Sequence, residues 1–166
     1  RSAMLRFDLP RSYLLVTIGV SLFCQPKVEQ YFEDPSPYRR IELAASVDRS
    51  CPEEQLSRFA QYISAQSRYP WNQFAPLGFG HTMPCDSTPQ GFGGSRFNYV
   101  LFANAPSNIP SFVFPQFRDD PVNVLWMTPI TASEQEFAAN NDSVALLDRL
   151  TAAGYDFVVR QRLPVV

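Results

Sequence analysis

Apolar and polar positions alternate in several short runs along the chain, and each predicts a strand. Leu5–Leu9 (LRFDL) alternates briefly and is closed by Pro10, as suits a short edge strand. Ser12–Phe23 (SYLLVTIGVSLF) is rich in β-branched and aromatic residues with Gly19 inside it, which predicts one long strand bent at the glycine. Arg39–Val47 alternates again. Ile41, Leu43 and Ala45 would face one side and Arg40, Glu42 and Ala44 the other, the pattern of a half-buried antiparallel strand. Phe97–Ala103 and Val122–Met127 read as further strands, the second buried and closed by Pro129, and Phe157–Val159 as a last short one.

Helical spacing occurs in three places. Leu56, Phe59, Ala60 and Ile63 form an apolar stripe with Tyr62 at its margin, after a start in which Ser50 or Cys51 caps, Pro52 fills the first turn and Glu53 and Glu54 meet the positive end of the dipole. Thr131-Ala132-Ser133-Glu134 is a capping box, so a helix begins directly after the Val122–Met127 strand. A further helix has Asp142 or Ser143 as cap, Val144, Leu147 and Leu150 on one face beside Leu146, and Gly154 as its stop. Between these elements, Gln25–Tyr38 reads as a proline-bearing surface loop, Arg68–Trp71 breaks the first helix, and the stretch onward to Gly94 is irregular. Pro106–Pro121 is a proline-rich meander carrying Phe112, Phe114 and Phe117.

Composition narrows the function more than the fold. A chain of 166 residues suffices for one core, burying roughly 70% of its unfolded surface, and residues 1–166 are read as a single domain without linker or repeat. Fourteen phenylalanines and fifteen prolines point to an aromatic core with many loops. A net charge of −2 argues against general nucleic-acid binding, which needs a basic surface. Arginine outnumbers lysine thirteen to one, Lys27 being the one lysine, and no function is drawn from that bias. Cys24, Cys51 and Cys85 are far apart with no CxxC pair, so neither a disulfide framework nor a zinc ribbon is expected and a cytoplasmic setting fits. The apolar run Tyr13–Cys24 is short of the ~20 residues a membrane span needs, and it lacks a small-residue cleavage site. No membrane partner is expected.

Candidate chemistry gathers around His81, the one histidine, in Gly78-Phe79-Gly80-His81-Thr82-Met83-Pro84-Cys85. Histidine and cysteine four apart can ligate zinc or act as base and nucleophile. A metal needs companion ligands and a nucleophile an oriented base, and no such set is visible in the sequence, so no metal or cofactor is expected. The glycines do not follow a strand-to-helix pattern or precede a lysine, which excludes a phosphate cradle. Tyr62, Trp71, Phe79 and His81 form a candidate recognition groove with Gly80 in its loop, since aromatic residues concentrate at interface hot spots, while the competing reading places such aromatics in the core. Trp126 reads as packing, Glu134 as a cap, and Asp119-Asp120 as a turn.

Six segments in order resemble the Suppressor of fused (SUFU) family. Tyr13–Ser21 (YLLVTIGVS) is similar to the family's LVTxGMS strand with Thr17, Gly19 and Ser21 in register, and RRIELAASV resembles its ELV strand. QLSRFAQYISAQSRYPW resembles its LARY/LARFPH helix and exit, and GFGHTMPCDSTP its GHTIPNGDP segment. Val122–Leu150 resembles VNFLWLVPITEEEREFKxxHGxDALLERL, and the closing RLPVV resembles RPSVV. The chain departs from the pattern at Asn140-Asn141-Asp142, where many relatives have His-Gly, and at Gly80, where animal members have aspartate. The resemblance implies an α+β fold, with a mixed, mostly antiparallel sheet and about three helices packed against it. It also implies a protein-binding module without catalysis. Animal members restrain a transcription factor by clasping an extended segment, a partner not expected here because those proteins carry a second domain and Gly80 removes a carboxylate. Single-domain bacterial members resemble immunity proteins that neutralise toxin domains, so the expected partner is a toxin domain or a regulatory protein. Two alternatives stand beside this: a hydrolase or metal-dependent enzyme using His81 and Cys85, and a structural subunit that binds an extended peptide by strand addition.

Overall fold

The computed structural model describes residues 2–85, 96–106, 120–160 and 162–166. Its centre is a seven-stranded mixed sheet. β1 (Ala3–Asp8) and β2 (Ser12–Ile18) form a hairpin, and β2 continues antiparallel onto β3 (Arg40–Asp48). β3 then pairs in parallel with β6 (Val122–Ile130), which is flanked antiparallel by β5 (Tyr99–Ala103) and, beyond it, β4 (Thr82–Pro84). The ladder between β3 and β6 ends at Ala44 and Trp126, and β7 (Val158–Val159) takes up the vacated side of β3 at Ser46 and Val47. Trp126 bridges this divergence by donating its indole N–H to the Phe157 carbonyl at 3.3 Å.

Helices cover both faces. α2 (Glu53–Gln66) buries Leu56, Phe59, Tyr62 and Ile63 against Leu15, Ile41, Leu43, Val100, Phe102 and Met127 on one face. On the other, α4 (Ala132–Asn140) and α5 (Ser143–Ala152) bring Ala138, Leu146 and Leu150 against Leu101 and Ile130. Leu146 and Leu150 are wholly buried, each contributing about 1.5–3 kcal/mol of apolar transfer. The predicted capping box is present: Thr131 Oγ accepts from the Glu134 amide at 3.3 Å, and the Glu134 carboxylate accepts from the Thr131 amide at 2.9 Å. Asp142 caps α5 through the Ala145 amide at 2.6 Å.

Several expectations are corrected. β2 stops at Ile18, because Gly19 takes φ +96° and turns the chain instead of bending a continuing strand. β3 is buried on both faces from Arg40 to Val47 and has parallel partners on one side, because helices cover both faces and β3 lies inside the sheet. Pro129 does not close β6, which runs on to Ile130; β6 has already left β3 there, and the Pro129 carbonyl accepts instead from Arg162 at 3.1 Å. Residues 25–38 hold α1 (Val28–Tyr31) and a 3₁₀ turn (Ser36–Tyr38), with Val28 buried. The Gln25 side chain bonds the Tyr38 and Leu77 carbonyls and the Leu77 amide at 2.8–2.9 Å. Beyond α2 the chain forms a short α3 (Tyr69–Gln73) before Phe74 turns it in the left-handed region, and β4 lies within the stretch expected to be irregular. In α5 the inward face is Leu146 and Leu150, while Val144 is 51% exposed. The helices thus number three of nine residues or more and two short ones among the described residues. Residues 86–95, with the later glycines, and 107–119, with Phe112, Phe114, Phe117 and Asp119, lie outside the described residues. Among the described residues no helix is long and apolar enough to cross a membrane.

Candidate functional site at the β4 edge

β4 closes one side of the sheet, and its hydrogen bonds fix how it presents itself. The Phe102 amide donates to the His81 carbonyl at 2.9 Å and the Cys85 amide to the Asn98 carbonyl at 2.8 Å. Alternation along an antiparallel pair then turns the backbone of His81, Met83 and Cys85 toward β5, and that of Thr82 and Pro84 outward. Thr82 therefore offers both N–H and C=O to a neighbour, while Pro84 offers only its carbonyl. Side chains alternate too: Met83 and Cys85 enter the core on the α2 face.

The glycine turn before β4 is held by backbone. Gly80, at φ +83°, donates to the Phe102 carbonyl at 2.8 Å, and its own carbonyl accepts from Ser143 Oγ at 2.6 Å. A β-carbon at Gly80 would stand 3.4 Å from the Ser143 β-carbon, in a backbone region that disfavours side chains. The start of α5 is thus bolted to the beginning of the β4 edge.

A groove opens on each side of this edge. On the α2 face a groove of about 490 Å³ runs between Tyr31, Phe32, Tyr69, Pro76, His81 and Met83, with no charged side chain in its lining. Phe32 stacks on Tyr38 with centroids 3.8 Å apart, and Lys27 stands 5.9 Å over the exposed Phe74 ring. On the α5 face a groove of about 450 Å³ is lined by Phe79, Ala103, Leu147, Tyr155 and Phe157 among others. The His81 pKa lies below the ordinary histidine value because its ring is partly desolvated, a hydrogen bond to Pro76 opposing the shift.

The structure separates the five residues singled out in the sequence. His81 lines the groove on the α2 face, Phe79 the one on the α5 face, and Gly80 is the turn between them. Tyr62 is buried in the α2 core, and Trp71 is partly buried against the same cluster, so neither lines these grooves. Helical spacing placed Tyr62 at the margin of the stripe, whereas its ring turns inward beside Phe59 and Ile63. Tyr31, Phe32 and Tyr69 were missed: Tyr31 and Tyr69 sit on four- and five-residue helices too short to leave a period, and Phe32 is the extended residue that ends the first of them.

The enzyme alternative meets a geometric obstacle. His81 and Cys85 flank an extended strand, which sets their α-carbons about 13 Å apart at ~3.3 Å per residue, too far for a base and nucleophile in hydrogen-bond contact. The Cys85 thiol is buried and donates to the Phe97 carbonyl at 3.3 Å. Among the described residues no three His, Cys, Asp or Glu side chains group closely enough to hold a metal ion.

The Suppressor of fused protein (SUFU) family matches residues 3–162. The chain belongs to that family. No curated protein sequence matches it. Among solved structures, a SUFU homologue from Neisseria gonorrhoeae superposes with a TM-score of 0.65 at 19% identity, over 99% of this chain and 78% of that one. The crystal structure of a Sufu-Fu complex gives 0.61 at 16% identity, over 99% and 76%. Drosophila Suppressor of Fused gives 0.60 at 16%, over 99% of this chain and 42% of its own. At these identities the likeness establishes a Suppressor of fused fold.

Two buried carboxylates hold that fold around the site. Glu42 accepts from Thr17 Oγ at 2.6 Å, Ser21 Oγ at 2.7 Å and the Gly19 and Ser21 amides at 2.9 and 3.0 Å, which explains why Thr17, Gly19 and Ser21 recur as a spaced trio. Beyond capping α4, Glu134 binds the Arg162 guanidinium and the Val165 amide, docking the end of the chain. Arg162 itself lies between the Phe97 and Tyr155 rings, 5.0 and 4.8 Å from their centroids.

Proposed function

We propose that this Suppressor of fused protein is a binding module that takes an extended segment of another protein alongside β4. The observation that carries the reading is the outward backbone of Thr82 beside the apolar groove on the α2 face, with a second groove on the opposite face reached at Phe79, three residues before it. A strand laid along an edge sends successive side chains to opposite faces, so a partner segment that bonds Thr82 has alternate residues over each groove. The uncharged lining on the α2 face favours an apolar or aromatic side chain there. Another family member solved as a Sufu-Fu complex supports a binding role. Resemblance to single-domain bacterial members supports the finer reading, in which the partner is a toxin domain and this chain is its cytoplasmic immunity protein.

Affinity capture from the native host tests the site with wild type, Thr82→Pro and a Tyr31→Ala/Phe79→Ala double variant. Thr82→Pro removes the outward donor and no bond to β5. One stoichiometric protein held by wild type and lost by both folded variants is the expected result. A partner retained by both would remove the β4 edge from the interface. Protection of cells expressing the toxin encoded beside this chain is expected of the immunity reading, and failure to protect would end it.

A further inference from the structure

The sheet path ends on β4 at one side and on β1 at the other. The two ends differ. β4 has three residues and finishes in proline, two devices that blunt an edge. β1 pairs in unbroken register from Ala3↔Ile18 to Asp8↔Tyr13, with neither proline, glycine nor bulge. The Leu9 amide donates to the Ser12 carbonyl at 2.9 Å, so alternation along the hairpin turns the backbone of Ala3, Leu5 and Phe7 toward β2. The N–H and C=O of Met4, Arg6 and Asp8 then face away from the sheet, with no neighbouring strand among the described residues.

The side chains of this edge are sorted by face. Leu5, Phe7 and Ile18 share one face and are 38, 39 and 41% exposed. Arg6 and Asp8 share the other, 3.1 Å apart, with Arg6 also 2.8 Å from Glu53. Six residues carrying both an apolar row and a +/− pair are a surface of one particular kind: complementary to itself when turned end for end.

We propose that β1 pairs antiparallel with β1 of a second copy, about a twofold axis at Phe7, joining two sheets into one. The charges select this register. Centring on Arg6 sets two guanidinium groups opposite each other, and centring on Leu5 leaves Asp8 facing Ser2. Centring on Phe7 places Arg6 opposite Asp8 of the second copy twice over, with Phe7 against Phe7 and Leu5 against Leu9 on the apolar face, each cross-strand pair favourable. The outward groups of Arg6 and Asp8 exchange backbone hydrogen bonds on either side of the axis. Such an isologous contact is small, so it dissociates in the micromolar range. It leaves β4 open, and its failure would not touch the binding role proposed there.

Sedimentation of the full chain over a concentration series tests it. The expected mass rises from one chain to two. Arg6→Pro, which removes an outward N–H and no β1–β2 bond, should weaken association roughly tenfold or more while a thermal melt still shows a folded protein. Arg6→Ala keeps the N–H, loses the ion pairs, and should weaken it less. In a Cys24→Ser background, mild oxidation should cross-link Phe7→Cys across the axis, where directly opposed α-carbons lie about 4.5 Å apart, and not Leu5→Cys. A single-chain mass at every concentration, or dimerisation indifferent to Arg6→Pro, would overturn the proposal, and cross-linking through Leu5→Cys alone would overturn the register.

Discussion

Glu42 is the residue whose role alternation concealed. The pattern of β3 assigned it with Arg40 to a polar face, yet it is 1% exposed and its carboxylate collects donors from Thr17, Gly19 and Ser21. Glu42→Gln removes the charge on which four donors converge and leaves its NH2 only the Thr17 hydroxyl to donate to. The expected loss is about 2–3 kcal/mol, checked by urea unfolding as a lower midpoint with an unchanged slope. Arg40 is concealed in the same way. It bonds Asp120 at 3.1 Å and the Ser21 carbonyl at 2.8 Å, so the turn after β2 is gripped by β3 at two points. A polar residue at an alternating position says only that its side chain needs partners, which water or a folded neighbour can equally supply.

At the scale of elements, local signals were legible where a short stretch satisfies its own hydrogen bonds. The Thr131–Glu134 box and the Asp142 cap are such stretches, and both are in place. Thr131→Ala should cost about 1 kcal/mol in thermal stability. α1, α3 and β4 were not legible, being three to five residues long and held by contacts made elsewhere in the chain. The Gly80 turn is such a contact: Gly80→Ala forces a side chain into φ +83° beside Ser143, costing on the order of 1–2 kcal/mol. Because Gly80 bolts α5 to the β4 edge, the same variant should weaken partner capture, whereas Glu42→Gln on β3, three strands from β4, should lower the melting temperature and leave capture intact.

Across the whole molecule three carboxylates tie distant parts together, and each is held below its ordinary pKa. Asp48 is lowered by the Ser50 hydroxyl and amide and by Arg160, 3.8 Å away at the end of β7. At Asp120 and Glu134 desolvation pushes upward but is outweighed, at Asp120 by Arg39 and Arg40 and at Glu134 by Arg162 with the Thr131 and Val165 amides. A depressed folded-state pKa contributes stability that is complete above the unfolded value, about 4, and is lost as pH falls through the folded value. The melting temperature should therefore hold steady above about pH 5 and fall below pH 4, with a shallower fall in Glu134→Gln, whose neutral side chain contributes no such slope. By itself the sequence determined the family through its spaced motifs, most strand cores and the three longer helices with two of their caps, because these depend on residues close together in the chain. Only the tertiary structure decided that β3 runs parallel to β6, that Glu42 faces inward, that Tyr62 belongs to the core, and that Phe79 and His81 serve opposite faces of one edge. Those outcomes depend on which segments pair across long separations, and a strand's alternation is the same whichever neighbour it finds.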